Sequence, residues 1–178
     1  MMFGLRPGTG DCMIVLITGG ARSGKSAYAE ARTLSLPGLP HYIATATAGD
    51  DEMAARIAAH RARRGPPWQD HEAPRDLAGA LAATDGAGPR LVDCLTLWLS
   101  NLMFAGSDLE AEAARLAAAL AAQASPVLLV TNEVGMGIVP ETALVRTFRD
   151  AAGRLNQRVA QIADEVQLVV CGCPLRVK

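Results

Sequence analysis

The chain has 178 residues, half of which are apolar, and a formal net charge of −1 at pH 7. A chain of this length and apolar content fits a single domain with one large hydrophobic core. The near-zero charge argues against a broad basic surface for nucleic acid or anionic lipid, and no apolar stretch is long enough to span a bilayer.

The four cysteines are unevenly spread and lack the Cys-x-x-Cys pairs of a zinc site. We therefore expect reduced thiols in a cytoplasmic protein, with Cys171 and Cys173 as buried small residues rather than a redox pair. Residues 1–12 read as an irregular lead-in without the features of a secretory signal, and residues 13–178 as one domain. The sequence is compatible with translation from Met1 or from Met13, and a start at Met13 would leave the lead-in outside the native protein.

Short apolar runs alternate along the chain with alanine-rich segments of helical period, a pattern typical of βα units in a parallel sheet. Strands are predicted over residues 13–18, 41–45, 90–93, 127–131 and 167–171. Helices are predicted over residues 26–34, 51–63, 75–82, 95–104, 108–123 and 141–163. The fold class is therefore α/β, with a mostly parallel sheet flanked by helices.

A complete Gly-x-x-x-x-Gly-Lys-Ser loop lies between the first predicted strand and the first predicted helix. The glycines let backbone N–H groups turn toward phosphate oxygens, and the helix adds its positive N-terminal end. Lys25 is expected to reach the β and γ phosphates, and Ser26 to ligate Mg²⁺. The loop predicts a P-loop NTPase-like, RecA-like fold with a nucleoside-triphosphate site formed by Gly19, Gly20, Ala21, Arg22, Ser23, Gly24, Lys25 and Ser26.

Asp93 closes the predicted strand at residues 90–93, so it stands where a carboxylate resembles a Walker B aspartate. Mg²⁺ commonly takes one such carboxylate together with the loop hydroxyl and phosphate oxygens. The alternative is that Asp93 caps the helix that begins near Leu95, and the two roles are compatible.

Residues 50–64 begin acidic and end basic, which suits the dipole of a helix. Met53, Ile57, His60 and Arg64 share one face of that helix, with Arg61 beside them. A neutral imidazole among guanidinium groups is a competent nucleophile toward a phosphate, which predicts nucleotidyl transfer through a phosphohistidine link. The alternative is a solvated histidine on a basic helix.

The residues resemble, across nearly the whole chain, the bifunctional adenosylcobinamide kinase/adenosylcobinamide-phosphate guanylyltransferase family. The resemblance rests on the phosphate loop and on a run of short blocks that are rarely assembled together elsewhere. These blocks are Tyr42-Ile43-Ala44-Thr45, Asp51-Glu52-Met53 through His60-Arg61, Val92-Asp93-Cys94-Leu95-Thr96, and Thr131-Asn132-Glu133-Val134-Gly135-Met136-Gly137-Ile138-Val139-Pro140.

This resemblance implies two reactions in assembling the nucleotide loop of adenosylcobalamin. ATP or GTP phosphorylates adenosylcobinamide, and GTP then donates GMP to adenosylcobinamide phosphate through a guanylyl-histidine at the position of His60. It also implies a homo-oligomer, for which we expect a trimer, while the phosphate loop and Asp93 predict Mg²⁺ as cofactor and the low net charge predicts no nucleic-acid partner. Because His60 must approach the α phosphate only in the second reaction, we expect residues 50–67 to be mobile.

The resemblance further implies guanine-nucleotide contacts outside the phosphate loop. A carboxylate at Glu72 would accept from the N1–H and amino group of guanine; the alternative is an exposed loop charge. The remaining implied contacts are Ala44, Thr45, Ala46, Arg61, Ala62, Arg63, Arg64 and Asp93. Residues 132–140 either help to bind the corrinoid or orient Mg²⁺, or form only a glycine-rich turn.

Two other function classes fit parts of the sequence. A P-loop kinase for another small metabolite would keep Lys25, Ser26 and Asp93 but form no covalent GMP adduct. A GTP-operated switch protein would bind partners without turnover, but the sequence has no Asn-Lys-x-Asp or Thr-Lys-x-Asp guanine motif. The bifunctional enzyme is the favoured interpretation.

Overall fold

The computed structural model describes residues 12–49, 51–65 and 67–178, and the side chains of Met53, Arg56 and Arg63 are not described. The predicted lead-in therefore lies outside the described residues except for Cys12. Within the described ranges the strands are β1 (Ile14–Thr18), β2 (His41–Ala44), β3 (Gln69–Glu72), β4 (Arg90–Asp93), β5 (Val127–Val130), β6 (Glu165–Val170) and β7 (Cys173–Arg176).

The helices connect these strands and match the predicted ones to within a few residues at each end. They are α1 (Lys25–Leu34), α2 (Asp51–Arg64), α3 (Leu77–Ala83), α4 (Leu95–Phe104), α5 (Leu109–Ala121) and α6 (Ala143–Ile162). None of the helices in the described ranges is both long enough and apolar enough to cross a bilayer.

All strands join one sheet in the order β3-β2-β4-β5-β1-β6-β7. Each neighbouring pair is parallel except β6 and β7, which run antiparallel. The α/β fold with a mostly parallel sheet flanked by helices is therefore confirmed. Strand β5 separates β1, which leads into the phosphate loop, from β4, which ends at Asp93, so both strands deliver their last residues to the same edge of the sheet.

The central strands β1, β4 and β5 are buried on both faces of the sheet, as expected for parallel strands covered by helices. Alternate residues of β1 enter different clusters: Ile14 and Leu16 pack with Trp98, while Val15 and Ile17 pack with Ala29 and other residues on the opposite face. This alternation follows from the two-residue period of a strand. The rigid sheet fixes where the loops at its carboxyl edge stand.

Two strands escaped prediction because they lack an apolar pattern. The residues of β3, Gln69-Asp70-His71-Glu72, are polar and mostly exposed at one edge of the sheet, although the sequence had suggested a loop there. Strand β7 lies at the other edge, is exposed throughout and contains Pro174, a residue that sheets accept at their edges. The expectation that Cys171 and Cys173 are buried was wrong, because the turn between β6 and β7 leaves both exposed.

A buried guanidinium at the start of β4 ties together loops at the edge of the sheet opposite the phosphate loop. Arg90 is fully buried and donates to Asp85 Oδ1 and Gln123 Oε1, each over 2.8 Å. Asp85 also accepts from the backbone N–H groups of Ala124 and Ser125. Such a charge is tolerated in the interior only when it is paired and hydrogen-bonded.

Candidate functional site

A cavity of about 570 Å³ opens at the carboxyl ends of β1, β2, β3 and β4. It brings together half of the residues predicted for nucleotide chemistry, whereas residues 19–24 of the phosphate loop are not among those that line it. Those lining it are Lys25, Ser26, Ala44, Ala46, His60, Arg61, Arg64, Glu72 and Asp93. Lining residues outside the predicted set are Tyr42, Ile57, Asp70, His71, Cys94, Leu97 and Asn132.

The phosphate loop is held against the end of β6. Gly24 has φ +94, and a Cβ added there would come within 3.0 Å of Gly172 Cα. The N–H of Gly172 donates to the carbonyl of Ser23 over 2.8 Å. Glycine at position 24 therefore serves both the left-handed turn and the close approach of the β6–β7 turn.

Helix α1 starts at Lys25 and points its N-terminal turn at the loop. The Nζ of Lys25 donates to the carbonyl of Gly20 over 3.0 Å, so the side chain curls back over the loop. Burial lowers the pKa of Lys25, while Cys94 and the carboxylate of Asp93 oppose the shift. Backbone N–H groups at the start of α1, preceded by a glycine with no capping side chain, suit the binding of phosphate.

His60 on α2 lines the same cavity as Lys25, and three side-chain oxygen atoms lie within 3.6 Å of its Nε2. Glu30 Oε1 lies 3.0 Å from Nε2, and Asp93 Oδ2 lies 3.6 Å from it. The hydroxyl of Tyr42 stands 3.0 Å from the same nitrogen and donates to Asp93 Oδ2 over 3.1 Å. The imidazole is thus fixed between α1, β2 and the end of β4.

The ring of Tyr42 forms a platform beneath the end of α2. The guanidinium of Arg64 stacks on it with Cζ 3.3 Å from the ring centroid, and the indole of Trp68 meets it edge-on with 5.8 Å between centroids. Burial, together with the nearby Asp93 carboxylate, raises the pKa of Tyr42 well above its ordinary value. The hydroxyl therefore stays protonated and able to donate at neutral pH.

The predicted arginines take different positions around Asp70 on β3. Arg64 Nη1 lies 2.8 Å from Asp70 Oδ1 and its side chain is only 6% exposed, while Arg61 Nε lies 2.9 Å from Oδ2 and its side chain is 69% exposed. Ala62 is exposed and does not line the cavity, and the side chain of Arg63 lies outside the described part of the chain. Arg64 is thus the arginine fixed at the cavity wall.

The end of β2 contributes backbone and small side chains. Ala44 and Ala46 line the cavity, whereas Thr45 is buried between them and does not. The hydroxyl of Thr45 donates to the carbonyl of Cys94 and accepts from its N–H, both over 2.7 Å. Thr45 therefore clamps the end of β2 to the residue after Asp93.

The residues predicted to hold Mg²⁺, Ser26 and Asp93, line the same cavity. Among the described residues no group of three or more His, Cys, Asp or Glu side chains forms a metal cage. Mg²⁺ bound with a nucleotide does not need one, because it takes one or two protein oxygens and completes its shell with phosphate and water. One hydroxyl and one carboxylate fit that type of site.

Strand β3 supplies the polar far wall of the cavity. Glu72 is exposed and pairs in register with Ala44 of β2, while the ring of His71 stacks on His41 with 5.1 Å between centroids. Burial lowers the pKa of His41, as do the neighbouring His71 and Arg90. Glu72 thus offers a carboxylate from a strand rather than from the loop that the sequence had suggested.

The segment 132–140 after β5 meets the site only at its start. Asn132 lines the cavity, and its N–H donates to Thr96 Oγ1 over 2.7 Å. Glu133 turns back on its own loop, because its Oε1 accepts from the N–H of Gly135 over 2.6 Å. Its carboxylate is therefore engaged within the loop and does not line the cavity.

Sequence reasoning missed Glu30 and the role of Tyr42. Both signals were present in the spacing: Glu30 lies four residues after Ser26, hence on the same face of α1, and Tyr42 lies two residues before Ala44, hence on the same side of β2. Neither spacing by itself distinguishes a site residue from a core or surface residue.

Comparison with known proteins adds an independent finding. Residues 15–177 match the family model described as cobinamide kinase / cobinamide phosphate guanyltransferase. The chain is 45% identical over 185 residues to the bifunctional adenosylcobalamin biosynthesis protein CobU of Salmonella typhimurium, covering 93% of this chain and all of that one. It is 46% identical to the bifunctional adenosylcobalamin biosynthesis protein CobP of Pseudomonas aeruginosa, covering 92% of this chain and 96% of that one.

Proposed function

The chain belongs to the cobinamide kinase / cobinamide phosphate guanyltransferase family, and we propose that it catalyses both reactions named in that description. It phosphorylates adenosylcobinamide with ATP or GTP, and it transfers GMP from GTP to adenosylcobinamide phosphate. The observation that carries this proposal is the position of His60, which lines one cavity with Lys25, Ser26 and Asp93. A phosphate-loop kinase alone has no use for an imidazole at that place.

In the kinase half, the phosphate loop holds the nucleotide while the substrate hydroxyl attacks the γ phosphorus. The new bond joins the hydroxyl oxygen to phosphorus, the bond to the β–γ bridging oxygen breaks, and the nucleoside diphosphate leaves. The N–H groups of the loop and the Lys25 ammonium meet the charge that develops on the leaving group. This half needs no covalent bond to the protein.

In the guanylyltransferase half, an imidazole nitrogen of His60 attacks the α phosphorus of GTP. A nitrogen–phosphorus bond forms, the bond to the α–β bridging oxygen breaks, and pyrophosphate leaves. The phosphate of the corrinoid substrate then attacks the same phosphorus and releases His60. The phosphate loop serves both halves, because the β phosphate remains in the leaving group each time.

We assign Ser26 and Asp93 as the ligands of Mg²⁺, an assignment supported by their place in the cavity lining. The ion would neutralise phosphate charge in both halves of the reaction. The guanine base is assigned to the wall formed by β3, where the Glu72 carboxylate is an acceptor for the N1–H and amino group of guanine.

We further propose that the protein works as a homo-oligomer, with a trimer as the expected state. Support comes from exposed apolar side chains between β5 and α6, notably Met136, Ile138 and Val139, which are 81%, 96% and 62% exposed. Apolar patches of this kind commonly mark contact surfaces. Light scattering on the purified protein gives the mass in solution; a monomeric mass would contradict this assignment.

The test of the proposed function is incubation with Mg²⁺ and GTP labelled at the α phosphate, without corrinoid. We expect label that survives denaturation, is released by acid and is absent from His60→Ala. Adenosylcobinamide phosphorylation measured in His60→Ala provides the matched control, because the kinase half does not use the imidazole. Loss of the kinase activity together with the label would point to a damaged fold instead.

A further inference from the structure

We propose that Asn132 is a catalytic residue of the kinase half, in which the N–H groups of its carboxamide donate to the γ phosphoryl group as it passes to the substrate hydroxyl. The inference rests on the proposed function, since it adds a residue to one of the two proposed reactions. It also distinguishes the two halves, because the guanylyltransferase half does not transfer the γ phosphorus.

The order of the strands places Asn132 between the two parts of the phosphate site. Strand β5 lies between β1, which leads into the phosphate loop, and β4, which ends at Asp93. Val130, the last residue of β5, is paired in register with Ile17 of β1 and with Asp93 of β4. Asn132 follows two residues later, at the edge of the sheet where parallel α/β sheets bind their ligands. A nucleotide phosphate held between the loop and Asp93 therefore lies beside the end of β5.

The backbone of Asn132 is held in place by hydrogen bonds to three neighbouring elements. Its own N–H donates over 2.7 Å to the Oγ1 of Thr96, which lies at the start of α4. The N–H of Thr131 donates to a carbonyl of β1 over 3.0 Å, and the N–H of Glu133 donates to the carbonyl of Gly19 over 3.1 Å. Asn132 thus has a fixed position relative to the phosphate loop, as positioning of a reacting group requires.

The side chain of Asn132 lines the cavity together with Lys25, Ser26 and Asp93, the residues assigned to the phosphates and to Mg²⁺. A carboxamide offers two N–H donors without a charge of its own. In the part of the chain that the structure describes, this carboxamide has no hydrogen-bond partner, and only the backbone N–H of Asn132 is engaged. Both donors are therefore free to meet a ligand in the cavity.

The two halves of the reaction load the γ phosphoryl group differently. In the kinase half, the hydroxyl oxygen bonds to the γ phosphorus and the bond to the β–γ bridging oxygen breaks. Its electron pair leaves with the nucleoside diphosphate, and the hydroxyl proton passes to solvent. Charge on the non-bridging oxygens of the moving group is then met by donors such as Asn132. In the guanylyltransferase half the γ phosphoryl group leaves intact within pyrophosphate, so the same contact contributes mainly to binding.

The first test compares the two halves in Asn132→Ala. Single-turnover transfer from GTP labelled at the γ phosphate to adenosylcobinamide should slow about 100-fold, within the range for loss of one donor to a transition state. Formation of the guanylyl-protein from GTP labelled at the α phosphate, without corrinoid, should change less than about threefold. The control Gln161→Ala removes an exposed amide of α6 outside the cavity lining and should leave both rates unchanged.

Asn132→Asp separates hydrogen-bond donation from the size of the side chain. The carboxylate keeps the shape of the amide but only accepts hydrogen bonds, so its kinase rate should fall at least as far as that of Asn132→Ala. A wild-type kinase rate in either variant, or an equal loss in both halves, would overturn the assignment of Asn132 to the γ phosphoryl group. A wild-type protein that neither phosphorylates adenosylcobinamide nor forms the guanylyl-protein would overturn the proposed function itself.

Discussion

Tyr42 donates a hydrogen bond to Asp93 Oδ2 over 3.1 Å, and the same hydroxyl lies 3.0 Å from His60 Nε2. A single buried oxygen on β2 thus joins the proposed metal ligand to the proposed nucleophile. The ring below that oxygen also carries the guanidinium of Arg64. Tyr42 therefore fixes the end of α2 through two contacts, one made by its hydroxyl and one by its ring. Substitutions of Tyr42 can measure the effect of each contact.

Tyr42→Phe removes the hydroxyl and keeps the ring. We expect guanylyl-protein formation to fall about tenfold, because a hydrogen bond to a charged group contributes about 1.5–3 kcal/mol. Tyr42→Ala, which also removes the platform for Arg64, should lose more. The measurement is the single-turnover rate with labelled GTP, and equal rates for Tyr42→Phe and wild type would show that the hydroxyl does not position His60.

Arg64 and Arg61 form a matched pair on α2, since both contact Asp70 but only Arg64 is largely buried and stacked. Arg64→Ala should reduce guanylyl transfer at least about tenfold, because a desolvated cation–π contact alone contributes about 2 kcal/mol. Arg61→Ala should change it less than about threefold, as exposed ion pairs contribute about 0–1 kcal/mol. Steady-state assays of guanylyl transfer by both variants test this ranking. A larger loss of activity in Arg61→Ala than in Arg64→Ala would contradict it.

Glu72→Gln tests the assignment of the guanine site. The amide keeps one acceptor but loses the charge and the paired acceptors, so we expect KM for GTP to rise about tenfold with little change in kcat. Inosine triphosphate, which lacks the amino group, is the matched substrate. Wild type should prefer GTP over it, and the preference should shrink in the variant; an undiminished preference would move the guanine site elsewhere.

Asp85 predicts a pH dependence of stability. Partial burial acts to raise the pKa of Asp85, but hydrogen bonds from Arg90 and from backbone N–H groups outweigh it and hold the pKa below its ordinary value. A carboxyl with a lowered folded pKa stabilises the protein above its unfolded pKa of about 3.9, and this stabilisation is lost as pH falls below that value. The unfolding free energy of the wild type, measured with denaturant, should therefore fall as the pH drops below about 4.

Asp85→Asn isolates this carboxylate from the others. At pH 7 the variant should lose about 3 kcal/mol of unfolding free energy, because Arg90 is left buried with an unpaired charge. The difference in unfolding free energy between wild type and Asp85→Asn should become smaller below about pH 4. Asp150→Asn, at a side chain 56% exposed beside Arg149, is the control and should change stability by less than about 0.5 kcal/mol. If this difference in unfolding free energy were the same at all pH values, ionisation of Asp85 would not be the cause of the pH dependence of stability.

The sequence predicted the parts of the fold that depend on local pattern. Strands such as β5, Val-Leu-Leu-Val, are buried on both faces and therefore appear as continuous apolar runs. The polar edge strand β3 has no such signature; pairing with β2 makes it a strand, and a pairing partner distant along the chain is invisible in the local sequence. The same applies to β7 beside β6.

The candidate site shows a similar division. The phosphate loop and Asp93 could be located because their chemistry requires fixed residue types at fixed places relative to strands. The contact between Glu30 and His60 could not, because it depends on how α1 and α2 are placed in the fold so that His60 Nε2 comes within 3.0 Å of the Glu30 carboxylate. Contacts between helices that are separate in sequence follow from packing, which a single sequence does not display.

The position of β1 in the sheet has a consequence for synthesis on the ribosome. Among the described strands β1 is made first, yet its neighbours β5 and β6 lie more than a hundred residues later. Until those segments emerge, an apolar strand waits without partners and is open to wrong pairings with other nascent chains. We therefore expect this protein to depend on holding chaperones during translation, and the nucleotide to be bound only after β5 and β6 have left the ribosome.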